Sequence, residues 1–125
     1  MQQRPPVDPA LQRLRDRLDR VNRQLLALLQ ERAEVVLEVA ALKDELGLDS
    51  YDPRREAEML RELTADPQGA FDSAELAEIF RAIFAVSLEL QRRLRHAAHE
   101  AAAERERAER ERQQRPHPKI QAVGR

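Results

Sequence analysis

The stretch YDPRREAEML, residues 51–60, sets Arg54, Arg55, Glu56 and Glu58 in the opening turns of a short helix. A solvated helix start accounts for such a cluster. So does a site for a small anion, because the free backbone N–H groups of a helix start also attract negative charge. Arg32 is the sharper signal. It interrupts an apolar stripe between Leu28 and Val35. A buried, unpaired guanidinium costs several kcal/mol. An acidic neighbour or a side chain bending out to water would relieve that cost, as would an anion reached from inside a helical bundle. Lys43 comes eleven residues later. Eleven residues are almost three turns, so the two cations leave one face about 16 Å apart along the axis. Long side chains bending inward could grip both ends of a dianion. With these two cations behind it, Arg55 and Glu56 read better as part of an anion site than as solvated surface.

Arg15 lies 28 residues before Lys43, about 42 Å along a straight helix. It cannot join the other cations within one chain. It could do so across an antiparallel dimer, which suggests a site shared between two copies. Ser87 occupies the apolar stripe between Ile83 and Leu90, and Gln91 stands one turn above it. Singly these are ordinary helix residues, since serine often bonds its own backbone and glutamine is common on surfaces. Together they form a short polar strip beside the core.

The elements that carry these residues are helical. Leu11, Leu14, Leu18, Val21, Leu25, Leu28, Arg32, Val35, Val39, Leu42 and Leu46 alternate three and four apart. This spacing predicts a helix of about 36 residues, capped by Asp8 with Pro9 in its first turn and stopped near Gly47. Such a helix cannot bury its own stripe and needs a partner helix. Asp52 and Pro53 begin a second, short helix with Met59, Leu60 and Leu63 on its apolar face, and TADPQG ends it. FDSAEL predicts a third start, with Asp72 as cap, Glu75 closing a capping box, and Phe71 and Leu76 as a hydrophobic staple. Leu76, Ile79, Phe80, Ile83, Phe84, Leu90 and Leu94 share a broad face with Ser87. Nothing reads as a strand. The expected fold is an all-α, three-helix chain with a very long first helix, completed as an intertwined homodimer.

The expected organisation is a disordered lead-in over 1–9, a helical domain over 10–95, and an extension over 96–125. The extension, rich in Ala, Glu and Arg, has high helix propensity but nothing large to bury. It reads as a solvated, fraying helix ended by Pro116 and Pro118, then a flexible tail.

With 42% hydrophobic and 36% charged residues and a net charge of −1, the 125-residue chain has no general pull toward nucleic acid or an anionic membrane. The absence of cysteine excludes disulfides and thiolate metal sites and makes the cytoplasm the expected location. No apolar run approaches the roughly 20 residues of a membrane span. The opening MQQRPPVDP lacks the apolar core of a secretory signal.

Three segments, LRDRLDRVNRQLLALLQERAEVVLEVAALK, YDPRREAEML and FRAIFAVSLELQ, in this order and spacing, resemble the all-helical (AroQ-class, type II) chorismate mutases. The likeness covers roughly residues 8–95 and looks closest to the mutase domain that precedes a DAHP synthase domain in some bacteria. It implies an intertwined homodimer with two shared sites, and an isomerase of the shikimate pathway that converts chorismate to prephenate on the route to phenylalanine and tyrosine. It implies no cofactor and no metal. Arg15 matches the arginine that reaches in from the neighbouring chain. Arg32, Lys43, Arg55, Glu56 and Gln91 match residues from the other chain, and Asp52 and Ser87 also fall on pocket positions. The extension lies outside the pattern.

The rearrangement breaks a C–O bond while forming a C–C bond in one molecule, so it needs no nucleophile. It needs a compact substrate, paired carboxylates, and donors for charge growing on the ether oxygen. The planar forks of Arg15 and Arg32 suit the carboxylates, with Arg55 completing a cationic wall. Lys43 and Gln91 suit the ether oxygen. Glu56 can accept from the substrate hydroxyl, while Ser87 and Asp52 help place the ring and carboxylate end.

Two other readings stand beside this one. The domain could be a non-catalytic or weakly catalytic module that senses prephenate or chorismate and regulates a DAHP synthase. A nucleic-acid binder could use Arg105, Arg107, Arg110, Arg112, Arg115, Lys119 and Arg125, but Glu106, Glu109 and Glu111 are interleaved and no aromatic residue is there to stack on bases. His96 and His99 lack an obvious third metal ligand and, with His117, read as solvated residues.

Overall fold

The computed structural model describes residues 5–116, and every element in that range is a helix. Helix α1 spans Pro9–Glu45, α2 spans Pro53–Thr64 and α3 spans Ser73–Gln114. The expected starts are all present. The Asp8 side chain accepts from the Ala10 N–H, and Asp52 accepts from the Arg55 N–H at 3.0 Å. At α3 the Asp72 carboxylate accepts from the Glu75 N–H at 2.8 Å, and Glu75 in turn accepts from the Asp72 N–H at 3.0 Å. Each cap satisfies donors that a helix start leaves free.

The end of α1 shapes the loop beside it. Gly47 takes a φ of +69°, which side-chain-bearing residues rarely adopt. Its N–H donates to the Asp44 carbonyl at 3.2 Å, and the Leu48 N–H donates to the Lys43 carbonyl at 2.8 Å. This is a Schellman closure. It turns the chain sharply after Lys43 and folds residues 48–52 back toward the bundle.

Helix α3 is the centre of the fold. Both α1 and α2 pack on it, and they do not pack on each other. The gap between them is what becomes the cavity. Packing is confined to one part of the molecule. Among the described residues the only buried apolar ones are Ala40 and Phe84, and Ser50 is buried as well. Every residue of α1 from Pro9 to Gln30 is exposed, including Leu14 at 60%, Leu18 at 59% and Leu28 at 62%. Small domains depend on burying most of their apolar surface, and this chain leaves its longest apolar stripe in solvent.

Beyond Arg95 the expected solvated extension is helical. Helix α3 continues unbroken to Gln114 and ends at Arg115, whose extended backbone (φ −67°, ψ 123°) is what a following proline imposes. The alanines and alternating Glu and Arg residues suffice to keep this exposed stretch helical. Residues 1–4 and 117–125, with His117, Pro118, Lys119 and Arg125, lie outside the described residues.

Candidate active site

Between the three helices lies a cavity of about 300 Å³. That is the lower end of the range for small-molecule sites. Helix α1 supplies Arg32 and Lys43, with Val35, Val36 and Val39 between them. Ser50 and Asp52 come from the loop before α2. Helix α2 supplies Arg55, Glu56 and Met59, and α3 supplies Phe84, Ser87, Leu88 and Gln91. Seven of the eight residues singled out from sequence therefore border one space. The eighth, Arg15, sits on the exposed first half of α1 and does not line it.

The Arg32 anomaly has a specific resolution. Among the described residues no carboxylate pairs with it. Its guanidinium instead donates to Ser87 Oγ at 2.7 Å and lies over the Phe84 ring, 5.3 Å from the centroid. The Ser87 hydroxyl donates in turn to the Ile83 carbonyl at 2.6 Å. The two polar interruptions of the apolar stripes on α1 and α3 thus meet each other. A cation held on a ring face and a neutral hydroxyl keeps its charge uncompensated, which is what an anion site requires.

The charges of α2 divide by direction. Arg54 is 91% exposed and approaches Glu58 at 3.8 Å. Arg55, one residue on, borders the cavity and also approaches Glu58, at 3.7 Å. Glu58 thus partners both arginines and leaves Glu56 free to face the cavity. Asp52 has its carboxylate committed to the Arg55 N–H, so the cap fixes the turn that delivers Arg55 and Glu56. Lys43 Nζ donates to the Ser50 carbonyl at 3.2 Å. Gln91 has a buried amide oxygen with no hydrogen-bond partner among the described residues. A buried acceptor left unpaired costs about 1–3 kcal/mol, and the same side chain borders the cavity.

Ser87, Gln91, Arg95 and His99 form a ladder on α3 at four-residue spacing. Sequence reasoning reaches its first two rungs, Ser87 and Gln91, and no further. The Arg95 guanidinium donates to the Leu48 carbonyl at 2.7 Å and to Ser50 Oγ at 2.9 Å, and it pairs with Asp44 at 3.2 Å. His99, expected to be solvated, meets Asp44 Oδ1 at 2.9 Å while remaining 64% exposed. The hydrogen bond with His99, helped by its charge and by Arg95, holds the Asp44 carboxyl below its ordinary value, against a smaller opposing effect of desolvation. These contacts join elements some fifty residues apart. Periodicity carries no signal for them, and only the even spacing along α3 could have hinted at the set.

This all-helical arrangement, a cationic cavity with no nucleophile flanked by a base among its lining residues, defines a binding site suited to holding and polarising an anion. Residues 14–92 match the family described as chorismate mutase type II, and the chain belongs to that family. A chorismate mutase (form II) from Thermus thermophilus is 48% identical, with a TM-score of 0.66, over 67% of this chain and 96% of that one. The Helicobacter pylori chorismate mutase solved in complex with prephenate is 29% identical, with a TM-score of 0.65, over 70% of this chain and 94% of that one. A bifunctional chorismate mutase/prephenate dehydratase of Pseudomonas aeruginosa is 36% identical over 92 residues, which are 70% of this chain and 25% of that protein. The chain spans 29% and 25% of the lengths of two further curated relatives of that bifunctional type.

Proposed function

We propose that the chain is a chorismate mutase that converts chorismate to prephenate by electrostatic preorganisation, as a homodimer with shared sites. The observation that carries this reading is the convergence of Arg32, Lys43 and Arg55 on one cavity beside the unpartnered Gln91 amide. Three cations and two carboxylates line that cavity. Arg15 of a second copy would bring the lining to two net positive charges, which matches a dianion. The exposed leucine stripe of α1 supports such a pairing, because Arg15 lies on the half of α1 that the single chain leaves uncovered.

In this arrangement Arg15 and Arg32 hold the two carboxylates and Arg55 completes the cationic wall. Arg32 is already aimed by Ser87 and Phe84, so little reorganisation accompanies binding. Val35, Val36 and Val39 offer an apolar wall that favours the compact substrate. As the C–O bond breaks, negative charge on the ether oxygen meets the Lys43 ammonium and the Gln91 amide. The NH₂ group is the donor of that side chain. Being neutral, Gln91 serves over a wide pH range. Glu56 accepts from the substrate hydroxyl, while Asp52 and Ser87 place the ring and carboxylate end. Residues 10–95 make up the catalytic domain and 96–125 an appended extension. A cytoplasmic setting goes with this reading. Among the described residues no helix is long and apolar enough to cross a membrane.

The test monitors loss of chorismate in the presence of the purified chain. Lys43→Ala is expected to lower kcat/KM several hundredfold, the usual effect of removing one transition-state donor, while the dimer stays folded. Near-normal kcat/KM in that variant overturns the assignment. Binding of chorismate by the wild-type chain without turnover would favour an effector sensor acting through the same cavity.

A further inference from the structure

Arg95 stands one turn beyond Gln91 on the same edge of α3, three residues past the segment that matches the family. It does not border the cavity. Its side chain is only 20% exposed, and its donors converge on one place, the end of α1 and the loop behind it. One terminal nitrogen reaches both the Leu48 carbonyl and Ser50 Oγ. Nε and the other terminal nitrogen reach Asp44 Oδ1 at 3.3 and 3.2 Å. Ser50 is 9% exposed, and its carbonyl is the acceptor that Lys43 Nζ uses.

These contacts form a relay from α3 to the ammonium. Lysine is a flexible point charge with about 2 kcal/mol of rotamer entropy. Its position in an open cavity is set by whatever acceptor it finds. Here that acceptor belongs to the loop after a left-handed glycine; the Leu48 N–H ties the start of this loop to the end of α1, but no backbone bond among the described residues fixes the Ser50 carbonyl itself. The planar fork of Arg95 does, by holding the residues on both sides of Asp49 at once.

We propose that Arg95 is a positioning residue for Lys43: by fixing the 48–50 backbone it sets where the Lys43 ammonium stands in the cavity. The kinetic consequence rests on the mutase reading, whereas the placement of Lys43 rests on this geometry alone. A misplacement of about 1 Å at a reacting centre can cost on the order of a hundredfold in rate. The chain has two lysines, Lys43 and Lys119, so the reactivity of Lys43 can be followed as a single peptide, with the other lysine as reference.

The experiment compares wild-type full-length protein with Arg95→Ala, Arg95→Lys, Lys43→Ala and the Arg95→Ala/Lys43→Ala double variant. It reads kcat and KM for chorismate, thermal melting, and the rate of Lys43 acetylation by acetic anhydride. Arg95→Ala is expected to lower kcat about ten- to a hundredfold with a much smaller change in KM, and to alter Lys43 acetylation severalfold. Arg95→Lys, which keeps the charge but not the fork, recovers only part of kcat. In the Lys43→Ala background the same change costs nothing further in kcat. Unchanged kcat per folded molecule, losses that multiply in the double variant, or unchanged Lys43 reactivity each overturn the proposal. Should Arg95→Ala fail to fold, Arg95→Lys serves for the same comparisons. Should the wild-type chain leave chorismate untouched, the mutase reading fails by itself, and Lys43 acetylation alone decides the placement claim.

Discussion

Two helical arms extend from the packed part of this molecule, and they have opposite characters. Residues 9–30 of α1 and residues 96–114 of α3 are both exposed throughout. The first carries Leu11, Leu14, Leu18, Val21, Leu25, Leu26, Leu28 and Leu29. The second has no apolar side chain larger than alanine. Each leucine, once fully buried, contributes about 1.5–3 kcal/mol, so the first arm gains by finding a cover. The second gains nothing from one. Alanine propensity and Glu–Arg spacings worth about 0.2–0.5 kcal/mol per pair keep it helical in water. Equal exposure therefore has two meanings, and the side-chain type distinguishes them. The arm that needs a cover also carries Arg15, the one proposed site residue that the chain cannot deliver to its own cavity.

The sharpest way to break this contrast is to charge both arms. If the proposed dimer forms through the leucine arm, Leu18→Glu with Leu25→Glu dissociates it and abolishes turnover, whereas Ala98→Glu with Ala102→Glu leaves both intact. Light scattering and a chorismate assay read the two outcomes, and a fully active dimer of the leucine-arm variant defeats the contrast. Next in size, Arg15→Ala should lower kcat/KM by at least about a hundredfold without changing the oligomeric state, which separates the proposed pairing surface of the arm from the proposed place of Arg15 in the site. When Arg15→Ala and Lys43→Ala proteins exchange chains freely, about a quarter of all sites should regain both residues. No recovery after verified exchange argues that the sites are not shared. Deleting residues 104–125 should leave kcat/KM within about twofold, as expected of surface changes away from packed features.

The smallest effect concerns pH. The Asp44 carboxyl titrates below its ordinary value in the fold. Its ties to His99 and Arg95 therefore stabilise the protein above the ordinary carboxylate pKa and are lost as pH falls through the lowered value. Asp44→Asn should flatten the acid limb of the Tm-versus-pH curve and lower Tm slightly near neutrality. An unaltered acid limb shows that the contact contributes nothing.

The helices were legible because each announces its own start. Asp8–Pro9, Asp52–Pro53 and Asp72 with Glu75 mark the three starts, and the three-four spacing gave the length of α1. Arg32 and Ser87 were legible as site residues because each breaks an apolar stripe. That they bond one another required the structure, since nothing in either helix reports the rotation of the other. Ser50 was hidden in a segment that reads only as a turn. Arg95 and His99 were hidden because arginine and histidine beyond the last stripe residue are what any solvated helix end displays. Their partners, Asp44 and the 48–50 loop, lie across the fold. The course of α3 past Arg95 is legible from its alanine, glutamate and arginine content up to Pro116. An apolar stripe that stops is a boundary of packing and not of helix.

The four-residue ladder on α3 also acts as a mechanical key. Each residue added to an α-helix turns everything beyond it by about 100°. One inserted residue between Ser87 and His99 would leave Ser87 engaged with Arg32 while swinging the later rungs off the cavity and the loop. Length changes can be absorbed beyond His99, where the described part of α3 is exposed throughout. Between those rungs the helix tolerates substitution far better than it tolerates a shift in phase, and an insertion scan across α3 would trace that locked interval.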